Sequence, residues 1–196
     1  MAGSRILVHV IRNLINCPAS YGSRASMLIN GVRLGKQVVI SGNIHVNNAG
    51  QIRIGDFCKL SSGRIANPVG GALCLSFVTT KTGVINVGER SGISNCELYS
   101  ASKLRIGERV LIGGGTRIWD TDFHPINSKA RRENASPLTA PITIEDDVFI
   151  GGYSTILKGV TIGKRSIVAA CSVVTRSIPE GEVWAGNPAR FVKRTE

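Results

Sequence analysis

Three histidines are the side chains of this 196-residue chain whose ordinary titration lies near neutrality, and they sit in different surroundings. His124 lies in Trp119-Asp120-Thr121-Asp122-Phe123-His124-Pro125, beside carboxylates able to set its tautomer and raise its basicity. A turn histidine bonded to backbone fits the same position equally well. His45 falls at a turn position, and His9 belongs to an apolar N-terminal run. A catalytic zinc needs three protein ligands, commonly histidines. His45 and His124 have no third partner in the repeat described below and the aspartates form no matching cluster, so no metal site is expected. There is no Ser-His-Asp arrangement, P-loop or dinucleotide fingerprint. The five cysteines (Cys17, Cys58, Cys74, Cys96, Cys171) form no CxxC pair and read as reduced thiols of a cytoplasmic protein. Lys and Arg number 24 against 13 Asp and Glu, a net charge of +11. Such a balance suits an anionic membrane, an acidic polymer, a polyphosphorylated cofactor or nucleic acid. The cations form no long run and are not interleaved with aromatic residues, so nucleic acid is not expected as a partner.

The element that must position these groups is a repeat of six residues. Ile144, Ile150, Ile156, Ile162, Val168 and Val174 recur at every sixth place, and Val148, Ser154, Val160, Ser166 and Ser172 stand four residues after the first five. A helix would space its anchors by three and four, and a plain strand would alternate. A period of six suits a chain that runs a short strand, turns a corner and repeats. Three such segments close a triangular coil, and coils stack through parallel backbone hydrogen bonds. The same step appears upstream in Leu34, Ile40 and Val46, in Ile54 and Leu60, in Val87, Ile93 and Tyr99, and in Ile106, Ile112 and Ile118. The expected fold is therefore all-β, a parallel β-helix or triangular solenoid spanning residues 31–178.

Two stretches break the period. Residues 64–83 lose register, which predicts a bulge or local loop. Residues 123–141 abandon the repeat for a polar, basic, proline-containing excursion, the kind of departure on which function tends to sit. Residues 179–196 contain Pro and Gly that are not expected to continue the coil, which predicts an irregular tail. In residues 1–30 the run Ile6 to Ile11, flanked by Arg5 and Arg12, is too short to span a bilayer. A short helix capping the open end of the solenoid is the favoured reading, with peripheral contact at the inner face of a membrane as the alternative.

The segments DTDFHP, API-TIEDDVFIGGYSTILKGVTIG, AACSVVTRSIPEG and WAGNPARFVKR, in that order, resemble the hexapeptide-repeat acyltransferases. The likeness is to the galactoside and maltose acetyltransferases and to the O-acetyltransferases of polysaccharide biosynthesis, and it covers about residues 31–193. What the resemblance implies is a left-handed β-helix, a homotrimer with an active site at each subunit boundary, and acetyl-CoA as co-substrate. The implied activity is O-acetylation of a sugar or polysaccharide-precursor hydroxyl in the cytoplasm, with His124 as general base and direct attack on the thioester.

Carried over residue by residue, the resemblance assigns CoA contacts to Gly152, Ala170, Thr175, Arg176, Arg190 and Lys193. The backbone N–H near Gly152 would face the developing oxyanion, and the three cations would face the phosphates. Acceptor contacts fall on Asn95 or, one residue away, Ser94, with Asp122 beside the histidine. Arg131 and Arg132 would meet an acidic sugar or simply stay solvated. Phe149 and Trp184 would pack on the cofactor or cover the core. Three other readings remain open: N-acetylation of an amino sugar or amino acid, a γ-carbonic-anhydrase-like metalloenzyme on the same repeat, and a non-catalytic assembly solenoid.

Overall fold

A computed structural model describes residues 20–195. Their strands form three sheets, two of six strands and one of eight, and strand order within a sheet steps mostly by three along the chain. Each circuit of the chain thus visits three faces and returns one rung further on, which makes a three-sided parallel β-helix. Leu34, Ile54, Val87, Ile106, Ile144 and Ile162 stack down the first face. Ile40, Leu60, Ile93, Ile112, Ile150 and Val168 line the second. Val46, Phe77, Leu98, Ile118, Ile156 and Val174 line the third. Most of these side chains are buried, and each full burial contributes about 1.5–3 kcal/mol, so the rows hold the coils together.

The corners demand backbone that few residues adopt. Between the first and second faces, Gln37, Phe57, Arg90, Arg109, Asp147 and Arg165 all have positive φ, one in each coil. None is β-branched, the type for which that conformation is most costly. From Phe57 onward each donates its N–H to a carbonyl of the previous coil, which offsets the strain. Small inward residues satisfy the remaining corner groups: Ser91 Oγ donates to Gly107 O and accepts from Val110 N.

Two expectations are corrected. The third-face rung after Ile93 is Leu98 rather than Tyr99, because the turn at Ser94–Cys96 is one residue shorter than its counterpart at Gly113–Thr116. Tyr99 therefore faces outward. The tail is also more regular than expected: Glu182–Ala185 adds a parallel strand to the second face with Trp184 on the Val168 rung, and Arg190–Arg194 folds back antiparallel. Gly181, with φ of 70°, continues the first corner ladder by donating to Lys164 O, and the indole of Trp184 fills the open end of the interior.

At the other end residues 20–29 are helical and lie over the first coil. Met27 is buried, and Ser23 Oγ donates to Gly42 O while accepting from Ile44 N. The apolar run around residues 6–15 and Cys17 lie outside the described residues. Among the described residues no helix is long and apolar enough to cross a membrane.

Candidate active site

The excursion leaves the coil at the corner between the third and first faces, and its root is firmly held. Asp120 is fully buried and accepts from Ser100 Oγ at 2.7 Å, Ala101 N at 2.7 Å and Ser102 N at 3.0 Å, all in the preceding coil. Thr121 bridges to Thr139 across the neck. Asp122 Oδ1 pairs with Lys158 Nζ at 2.8 Å, whereas its Oδ2 is buried without a partner. Phe123, at φ of 60°, turns back over Tyr99 and Trp119, with ring centroids 4.8 and 5.5 Å away. His124 follows, its N–H donating to Asp122 O at 2.7 Å, and it is exposed. Further out, Asn127 caps the short helix Ser128–Arg132 through Lys129 N and Ala130 N, and none of that helix is buried.

Beside this root the third face carries a groove of about 230 Å³, walled by Val78, Tyr99, Trp119 and Phe123 with Ser76 and Glu97 at its polar edge. Glu97 is held by Arg117 at 3.4 Å.

The corner between the second and third faces repeats the positive-φ ladder, with Gly115, Tyr153 and Cys171 in successive coils. The N–H groups of Gly151 and Tyr153 donate to Val168 O and Gly114 O, and that of Cys171 donates to Gly152 O. The N–H of Gly152, between the first two, lies outside this ladder, as does that of Ala170 one coil on. Toward the C-terminal end stand Thr175, Arg176, Arg190 and Lys193, all exposed. The Arg176 guanidinium lies 6.0 Å over the Trp184 ring, and Arg190 donates to Ala189 O.

The structure thus places Gly152 and Ala170 in successive coils of one corner, with Arg190 beside Ala185 at the C-terminal edge of the second face, whereas Thr175 and Arg176 follow the third-face strand Val173–Val174 and share the corner of His124, two coils further on. One expected contact does not fit the geometry. Asn95 has no exposed surface: Oδ1 accepts from Gly63 N at 2.6 Å, and Nδ2 donates to Asn67 O and Val69 O, both at 2.8 Å. Its amide is fully engaged in holding residues 63–74, so it cannot bind an acceptor. Ser94, half-buried on the adjoining strand, remains available. Arg131 donates to Pro125 O and Ile126 O and so braces its own loop, while Arg132 is exposed. Asp122 positions the bend through Lys158, since its one free oxygen is buried. Trp184 covers the core, its Nε1–H donating to Glu182 Oε2, and Phe149 lies on the outer surface of the second face. Burial pushes the Cys96 thiol up to about 12 and raises that of Cys58, so neither thiol is a nucleophile at neutral pH. Lys158, Tyr153 and Val69 were not legible as site residues. For Val69 the only trace was the lost register at 64–83, which signals a loop without saying what it touches.

Residues 141–176 match the family described as bacterial transferase hexapeptide (six repeats). That stretch carries the hexapeptide repeat of this family model. A hexapeptide-repeat-containing acetyltransferase of Vibrio cholerae is 29% identical over 84% of this chain and 74% of its own, with a TM-score of 0.59. The same Vibrio protein in complex with acetyl-coenzyme A aligns at 37% identity over 61% of this hexapeptide-repeat chain and 65% of that one, with a TM-score of 0.56. A Saccharomyces cerevisiae protein whose name assigns it to the acetyltransferases is 42% identical over 100 residues, 51% of this chain and 50% of that one. The 2,3,4,5-tetrahydropyridine-2,6-dicarboxylate N-acetyltransferase of Staphylococcus aureus is 50% identical over 58 residues, 30% of this chain and 24% of its own. The chain spans about half the length of the curated yeast proteins it matches. The fold of this hexapeptide-repeat chain is the left-handed parallel β-helix, a sense opposite to the usual right-handed crossover between parallel strands.

Proposed function

We propose that this protein is an acetyl-CoA-dependent O-acetyltransferase acting on a sugar or polysaccharide-precursor hydroxyl. The observation that carries the reading is His124, an exposed histidine at a pinned bend beside an aromatic-walled groove. Flat aromatic walls suit the apolar faces of a sugar ring, while Ser76 and Glu97 offer polar partners at the edge. A hydroxyl is a poor nucleophile at neutral pH, so a base must take its proton as it attacks. In the proposed step the acceptor oxygen bonds to the thioester carbonyl carbon and its proton goes to His124. The carbon–sulfur bond then breaks, and the proton passes to the departing CoA thiolate. The thioester is already activated, so no covalent enzyme intermediate is needed. The free N–H of Gly152, fixed by its neighbours in the ladder, is preorganised to stabilise the oxyanion. The N–H of Ala170 and the Thr175 side chain lie along the path of the pantetheine, and Arg176, Arg190 and Lys193 supply cations for the CoA phosphates.

Because His124 and Gly152 occupy different corners of one prism, the proposal joins the base of one protomer to the CoA corner of a neighbour in a homotrimer. Light scattering should return a trimer mass, and mixed trimers of His124→Ala and Arg190→Ala chains should recover part of the activity that each lacks alone. Thiol release from acetyl-CoA against a panel of saccharides tests the reaction itself. His124→Ala should lower kcat/KM by about 10²–10⁴-fold with an unchanged melting temperature. An unaffected rate would overturn the assignment. The Staphylococcus relative named as an N-acetyltransferase supports a second reading, N-acetylation. An amine needs less help from a base, so that reading expects amino acceptors to be preferred and the His124→Ala loss to be small.

A further inference from the structure

The corner between the second and third faces carries Ala170, Gly152 and Gly114 in successive coils, about 4.8 Å apart. Access declines along that row: Ala170 is exposed, Gly152 half-buried and Gly114 buried. What covers Gly114 is the loop of residues 63–74. A Cβ placed on Gly114 would stand 2.1 Å from Val69 O, and one on Gly152 would stand 3.5 Å from Val69 Cγ1. The Val69 side chain therefore stands beside the Gly152 corner, half of it still open to solvent.

The loop is not a loose flap. Asn95 grips Gly63 N, Asn67 O and Val69 O, and the Tyr153 hydroxyl accepts from Gly70 N at 3.1 Å. Gly70 has φ of 98°, and a Cβ there would fall 2.8 Å from Asn95 Cβ, so the close approach depends on glycine. Two side chains from two different coils thus fix Val69 in place.

With the thioester carbonyl at the Gly152 N–H and the CoA phosphates toward Arg176, Arg190 and Lys193, the acyl chain points along the row toward Gly114. We infer that residues 63–74 are the end wall of the acyl-CoA groove and that Val69 determines specificity, admitting an acetyl group and excluding longer linear acyl groups. The inference rests on the thioester placement proposed above. Neither the hexapeptide period nor the cations at the other end require such a wall.

The test compares kcat/KM for acetyl-, propionyl- and butyryl-CoA with one saccharide acceptor. The unmodified protein should prefer acetyl over butyryl by at least tenfold, since one methylene in a shaped apolar site is worth about 10–200-fold. Val69→Gly should raise the butyryl-to-acetyl ratio about tenfold or more, and Val69→Ile should lower it. Asn95→Ala, by freeing the loop, should move the ratio in the same direction as Val69→Gly. A ratio unchanged in Val69→Gly while acetyl transfer proceeds overturns the wall, as does an unmodified protein that uses butyryl as readily as acetyl. If the unmodified protein releases no thiol from any of the three, the acetyltransferase reading itself fails, which is a distinguishable result.

Discussion

The three corners of the prism run the same backbone problem to different ends. The first corner is uninterrupted: one positive-φ residue per coil, each from Phe57 onward handing its N–H to the coil before, with no insertion along its length. The second takes in the loop 63–74, which turns back onto the corner and is held by Asn95 and Tyr153. The third releases residues 120–141, which are anchored only at the neck by Asp120 and Lys158 while their short helix buries nothing. An insertion that folds back becomes a wall; one held only at its root leaves the residues beside the root exposed and oriented. His124 is such a residue, and Val69 belongs to a wall.

The contrast is broken most severely at the root of the excursion. His124→Ala, at the proposed base, removes no bond that holds the excursion, so the expected effect of about 10²–10⁴-fold is on turnover alone. Asp120→Ala does the reverse. It leaves Ser100 Oγ and the N–H groups of Ala101 and Ser102 without their acceptor, a loss of about 3 kcal/mol and ~10 °C in Tm. Limited proteolysis should then cut within 126–138 first. If Asp120→Ala lost activity but kept its Tm, the carboxylate would be part of the chemistry and the distinction between root and site would fail.

The wall is the next place to press. Asn95→Ala strips three hydrogen bonds from residues 63–74 at a buried position, which should cost about 2–3 kcal/mol and expose the loop to proteolysis while residues 120–141 keep their protection. Lys158→Ala should cost less, about 1 kcal/mol, because the Lys158 and Asp122 side chains are each about a quarter exposed.

How much of this was readable in the sequence follows from which interactions are periodic. The rungs, the three faces and the lapse of the repeat after Asp122 all depend on residues recurring at fixed intervals, and they were legible. The slip from Tyr99 to Leu98 was not, since a corner one residue short changes which neighbour faces inward while both are apolar. The role of Asn95 is hidden for a related reason: an amide at a corner looks the same in sequence whether it meets a ligand or a backbone 28 residues upstream. The tail was underread because Pro179 and Gly181 signal a break in most folds, whereas here they fall on a corner that needs a turn in any case. His124 could be singled out through the resemblance carried by DTDFHP, but its groove could not, because Val78, Tyr99 and Trp119 come from three successive coils.

The uninterrupted corner supplies the smallest effect and the baseline for the others. Arg109 donates to both oxygens of Asp147 and also pairs with Glu108, all on the surface. The guanidinium holds the Asp147 carboxyl below its ordinary value, chiefly through those hydrogen bonds. A carboxylate with a depressed folded-state pKa adds stability above its unfolded pKa and loses it as the pH falls through the folded value. Both side chains are 43% exposed, so solvent and salt screen most of the interaction. Arg109→Ala should therefore lower Tm only slightly near neutrality at low salt. The curves for the two proteins should converge in acid below the usual carboxylate range, and also at high salt at neutral pH. A drop in Tm as large as that of Asp120→Ala, or one that persisted in acid, would mean that the plain corner depends on its side chains as the other two do, rather than on the backbone ladder alone.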